Sequence, residues 1–202
     1  LTFPVCGVIN GKVHYMGGGA TGGATDRHYQ YDPSTDTWSQ KAKIPYKAQQ
    51  PAGAARGTKF HYFGGGFPNS GTPLKDHYIY DATTDGWSKA ADLVPARAIH
   101  YAITLNNEVY SMAGQGVLNR FEKFDDGNDA WIPRTNLPET KFLYGAHIAT
   151  GNNIYKFCGG GYSAPTNTAF TYDWNTQAWS SLPGAPMAIH GIVGAAIGDN
   201  IY

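Results

Sequence analysis

The chain has 202 residues, enough for one domain with a substantial core, and its fifteen basic and fifteen acidic residues cancel. That balance lacks the electrostatic footprint by which nucleic acids or anionic membranes are bound. Charged residues make up 15% of the chain against 26 glycines and 14 tyrosines, a mixture that suits short strands and tight turns and does not read as disorder.

The first unit reads as four strands. Strand A covers Val5–Ile9 and turns at Asn10-Gly11, a dipeptide that accepts positive φ at both positions of a two-residue hairpin. Strand B, Lys12–Met16, runs into Gly17, Gly18 and Gly19. Strand C, His28–Tyr31, reaches strand D around Trp38 through Asp32–Asp36, where Asp and Ser/Thr side chains can bond backbone amides. Later A–B turns keep this chemistry at Gly57-Thr58, Asn106-Asn107, Gly151-Asn152 and Gly198-Asp199.

The unit then recurs. The aromatics Tyr31, Tyr80, Phe124 and Tyr172 are each followed by Asp, and each stands seven residues before Trp38, Trp87, Trp131 and Trp179 respectively. Upstream, glycines close strand B at Gly18-Gly19, Gly65-Gly66, Gly114 and Gly159-Gly160, giving a period of 45 to 49 residues. The third unit departs from the pattern, with Gly114-Gln115 in place of the doublet and a short B–C loop. No window of a dozen residues carries a helical apolar period, so the chain reads as all-β. Strand A stretches such as Ala52–Ala55 and Val193–Ala196 are small, as strands crowded about a central axis must be. Tyr and Trp on the outer strands are large enough to fill the wedge that widens between neighbouring blades.

These motifs, covering essentially the whole chain, resemble the kelch-repeat β-propeller family. The resemblance implies four consecutive four-stranded blades, approximately 1–46, 47–96, 97–142 and 143–189, plus the start of a fifth at 190–202. Kelch rings resemble six- or seven-blade closures, which at this period need roughly 280–340 residues. The sequence stops inside strand B of the fifth unit, so it reads as a piece of a longer polypeptide. A closed four-blade ring with an extra A strand, or two chains pooling blades in a chain–chain assembly, are the alternatives.

Candidate sites are sparse. His14 and His61 share a repeat column, as do His28 and His77, and columns in different blades need not converge. His100, His147 and His190 share none and lack zinc spacing, so structural roles are expected and no metal. No set of Tyr, Cys and two His of the kind that kelch-type copper-radical oxidases use is identified, and no cofactor is expected. Cys6 and Cys158 are too few for a disulfide scaffold, and apolar runs such as Ile192–Ile197 are too short to insert in a membrane.

Kelch binding surfaces resemble a face built from B–C and D–A connections. Here the B–C loops are 20–26, 67–75, 116–119 and 161–167, with Phe67 and Tyr162 at apolar tips. The D–A connections bring Lys47, Arg97 and Lys141 to comparable places, near Tyr46, His100, Phe142 and Tyr144. Such a ring of cations and aromatics suits a carboxylate-bearing peptide or a sugar acid. Trp174 breaks the repeat on the opposite face, as an interface anchor or as a shield for its own blade edge. The expected function is a non-catalytic module binding a protein partner or a glycan. Alternatives are a fragment of a sugar-acid enzyme, although no acid/base pair is visible, and a structural part of an extracellular or virion assembly. The low charge suits an extracellular or surface setting.

Overall fold

The computed structural model describes residues 3–66, 72–115, 117–140, 142–161 and 163–202. All regular structure among them is β. The first sheet contains β1 (Val5–Ile9), β2 (Lys12–Met16), β5 (His28–Asp32) and β6 (Thr37–Gln40). A small hairpin of β3 (Gly19–Ala20) and β4 (Gly23–Ala24) sits in its B–C loop. The second sheet is β7 (Ala52–Arg56), β8 (Lys59–Phe63), β9 (His77–Asp81) and β10 (Gly86–Ala90). The third is β11 (Tyr101–Leu105), β12 (Glu108–Met112), β13 (Phe121–Asp125) and β14 (Ala130–Pro133). The fourth is β15 (Ala146–Thr150), β16 (Asn153–Gly161), β17 (Ala164–Asp173) and β18 (Ala178–Leu182). A short pair, β19 (Ala196–Ile197) and β20 (Asn200–Ile201), begins a fifth unit.

The seven-residue spacing is a register. Tyr31 faces Trp38, Tyr80 faces Trp87, Phe124 faces Trp131 and Tyr172 faces Trp179, all across antiparallel C–D pairs. The turns between them work as the residue types predict. Asp32 accepts from the Ser34 amide, Asp81 from that of Thr83, Asp125 from Gly127 and Asp173 from Asn175. Each turn closes on a left-handed residue, at Asp36, Asp85, Asp129 and Gln177. The strand-B glycines split into two columns. The first takes φ of 64°, 62°, 55° and 55° at Gly17, Gly64, Ala113 and Cys158, so it tolerates a side chain. The second reaches 84° to 129° at Gly18, Gly65, Gly114 and Gly159 and is glycine throughout. At Gly65 a Cβ would also stand 2.8 Å from Gln49 O.

Innermost strands contact one another in the order β1, β7, β11, β15, β19. Crowding there explains the small residues, since a Cβ on Gly7 or on Gly53 would lie 2.4 Å from the Phe60 ring. The core is divided among the blade interfaces. Met16, Ile44, Phe60 and Tyr80 fill the first, Phe63, Leu93, Val109 and Phe124 the second, and Tyr110, Phe121, Phe142 and Tyr172 the third. Trp87, Trp131 and Trp179 pack against these cores, while Trp38 belongs to none of them and is 60% exposed.

One local reading changes. Residues 161–167 are not simply a loop: Gly159 pairs with Thr166, Gly160 with Pro165 and Gly161 with Ala164, so β16 and β17 extend as a long hairpin beyond a bulge at Phe157/Gly159. Cys6 is exposed and Cys158 buried, and both are free thiols.

Candidate functional site at the mouth of the axial channel

Where each blade hands over to the next, the chain takes a left-handed step. Phe3, Gln50, Ile99 and Tyr144 stand two residues ahead of β1, β7, β11 and β15 with φ of 54°, 53°, 52° and 58°, and Gly191, five residues ahead of β19, takes 71°. Such conformations are unfavourable for bulky or β-branched side chains, and they persist only where the surroundings hold them. Backbone bonds link successive steps: Ile99 N donates to Gln50 O at 3.3 Å and Gly191 N to Tyr144 O at 2.7 Å. The side chains of Phe3, Gln50, Ile99 and Tyr144 wall a cavity of about 480 Å³, together with His100, Tyr101 and Val193. Its walls come from three successive innermost strands and the residues ahead of them, so it forms the mouth of the axial channel.

His100 is 5% exposed, and neither ring nitrogen has a hydrogen-bond partner among the described residues. Burial, and then the charge of Arg97, hold its pKa down to about 3, so the ring is neutral. Tyr101 stacks on His147 with centroids 3.9 Å apart. Burial pushes the Tyr101 phenol up to about 12, against the opposing effect of hydrogen bonds from the Tyr144 and Gly145 backbone. His147, at about 3 through burial and the nearby Lys156 charge, bonds Gly145 O through Nδ1 at 3.1 Å. The mouth is therefore apolar and uncharged, with a few polar atoms held in fixed positions.

Of the expected cations, neither Lys47 nor Arg97 lines this mouth among the described residues. Lys47 is exposed on the first D–A connection and makes no ion pair among the described residues. Arg97 is fully buried and is corrected from a loop cation to an internal one: its guanidinium pairs with Glu122, itself 1% exposed, and Arg120 holds the other carboxylate oxygen at 2.8 Å. Burial lowers the Arg97 pKa while Glu122 opposes that. The cause is local, since the Arg97 chain lies over Gly114, where a Cβ would come within 2.9 Å of it. A signal was present in the sequence, because Glu122 occupies the column of Tyr29, Tyr78 and Phe170. Lys141, Phe67 and Tyr162 lie outside the described residues. A second internal pair joins Lys156 to Glu139, with Thr168 at 3.0 Å and the Phe142 ring 4.9 Å from the ammonium.

Trp174 is resolved in favour of packing. Its indole nitrogen donates to Glu108 of the preceding blade at 2.9 Å, and its ring lies against the third interface core. Sequence reasoning also missed that the histidine columns pair within a blade, His14 with His28 and His61 with His77. Among the described residues no three of His, Cys, Asp and Glu gather closely enough to hold a metal ion.

Radial four-stranded blades, their interfaces sealed by one aromatic pair per blade, define a β-propeller array. No family model matches the chain. It is 31% identical to Kelch-like protein 36 of Bos taurus, over 88% of this chain and 30% of that protein. It is 24% identical to Kelch-like protein 23 of Homo sapiens, over 85% and 32%. The chain thus spans about a third of the length of these curated relatives. Superposition on the structure of YjhT gives a TM-score of 0.83 at 18% identity, covering all of this chain and 72% of that one. The chain belongs to the kelch-repeat β-propeller family.

Proposed function

We propose that this chain is a non-catalytic binding module that takes a protein segment at the mouth of the axial channel. The observation that carries the reading is the set of left-handed residues there. Four bulky side chains are held in unfavourable backbone conformations around one cavity, and strain of this kind collects at ligand clamps. An apolar wall with a few polar groups suits an extended peptide, whose side chains fill the cavity while its backbone bonds to groups such as the Gln50 amide. The Kelch-like relatives support a protein partner over a glycan. Lys47, exposed on the first D–A connection, is suited to steering an acidic partner more than to holding it.

The test is to pan the immobilised protein against a displayed random-peptide library and to titrate the recovered peptides by calorimetry. Gln50→Ala and Tyr144→Ala should each weaken binding about tenfold or more, as truncation of a buried anchor does. Lys59→Ala, on the opposite face, should leave it unchanged. Equal loss from Lys59→Ala, or retention of a glycan panel in place of peptides, overturns the reading.

A further inference from the structure

Two histidine pairs sit at consecutive blade interfaces, and their proton arrangement follows from what they touch. Ala42 O can only accept, so Nδ1 of His28, 3.2 Å away, carries a proton. In a neutral ring Nε2 of His28 then accepts, from Nδ1–H of His14 at 2.8 Å. That leaves Nε2 of His14 to accept from the Gln30 amide at 3.0 Å. The next blade repeats the relay: His77 Nδ1 donates to Ala91 O at 3.2 Å and His61 Nδ1 to His77 Nε2 at 3.1 Å. His61 Nε2 is buried without a partner among the described residues. One proton per ring satisfies each relay. A second proton on either ring aims an N–H at another donor or at a site with no acceptor.

Each relay ends on the linker residue that the following blade clamps. Ala42 O also accepts from the Trp87 indole at 3.0 Å, and the Ala42 amide donates to Asp85 at 3.1 Å. Ala91 is held in the same way by Trp131 at 3.2 Å and Asp129 at 2.8 Å. The third interface lacks a relay, because Tyr110 and Phe121 fill the equivalent columns and pack on Tyr172.

We infer that the two histidine relays are acid-sensitive latches, whose protonation frees the linkers after the first and second blades while the third interface stays closed. Lys12, Lys41 and Asp85 face the first relay, with the Tyr80 and Trp87 rings. Arg56, Lys59, Lys89, Asp126 and Asp129 face the second, with Phe124 and Trp131. Burial outweighs these charges. It lowers His14 and holds His28 and His77 down to about 4 and His61 to about 3. A histidine depressed in the folded state stabilises it fully above about pH 6.5, and that contribution is lost as the pH falls toward 4. The freed linkers run on to Gln50 and Ile99, so release reaches the channel mouth. The inference stands whether or not that mouth binds a peptide.

Amide hydrogen exchange at pH 7.0 and 4.5, corrected for intrinsic rates, tests it on the intact chain. One ring at about 4 against ~6.5 when exposed predicts a roughly 50-fold rise in the opening equilibrium of residues 41–48 and of 90–98. Residues 134–140 should rise less than about threefold, although His147 is also held neutral nearby. An equal rise in all three linkers overturns the inference. The variant H14Y/H28F/H61Y/H77F takes the third blade's residues and should abolish the rise; a rise that persists in it contradicts the assignment. Should that variant not fold, ring protons of the wild type followed by NMR decide, and midpoints at or above about 6 in the four histidines refute the latches.

Discussion

A guanidinium with no exposure keeps its charge and needs a carboxylate to offset the hydration it has lost, and Glu122 serves that need for Arg97. Arg97→Ala should cost about 3–5 kcal/mol, because it leaves Glu122 buried with only the half-exposed Arg120. Arg97→Met combined with Glu122→Leu should lose less than the single change, since well-packed apolar pairs often match a buried ion pair. Urea midpoints of both variants check this, and a double variant as unstable as the single one refutes it. Position in the chain pointed the wrong way for this residue. Arg97 precedes a strand in a D–A connection, where charge is normally solvated, and only the acidic departure at Glu122 marked it as internal. The left-handed steps at Gln50, Ile99 and Tyr144 were not legible at all. No glycine or asparagine marks them, and tertiary contacts impose a conformation that their own preferences oppose.

At the scale of the strand, the sequence was far more informative. A fixed distance from aromatic to Trp encodes a turn of one geometry, so the C–D register could be read before any contact was known. The β16–β17 hairpin was not legible, because Gly159–Gly161 reads as punctuation when it is in fact paired. The interfaces turn equivalent tryptophans into unequal ones. Trp87 donates to Ala42 O and packs in the first interface, so Trp87→Ala should cost about 3 kcal/mol. Trp38 has the same register and 60% exposure, so its loss should cost under about 1 kcal/mol. Trp174→Ala falls between them, at about 1–2 kcal/mol, because it breaks a hydrogen bond to Glu108 across blades. Denaturant midpoints rank the three, and equal losses at Trp38 and Trp87 contradict the blade order.

At the scale of the whole molecule, stability and recognition have different origins. Cores lie between blades, so each blade is held by its neighbours, while the axis is left to small residues and an open mouth. The charge balance lacks the footprint of a nucleic-acid binder, and the B–C and D–A face is the side on which we propose that a ligand sits. Its proposed chemistry differs from the first reading: Arg97 is internal and the described lining of the mouth is uncharged, which favours apolar fit over pairing with cations. Chemical-shift mapping of a library-selected peptide on the labelled chain tests this most directly. Perturbations should concentrate at Gln50, Ile99, His100, Tyr101 and Tyr144. Perturbations concentrated at Asp36, Asp85, Asp129 and Trp174 would place the partner on the opposite face and contradict the proposal.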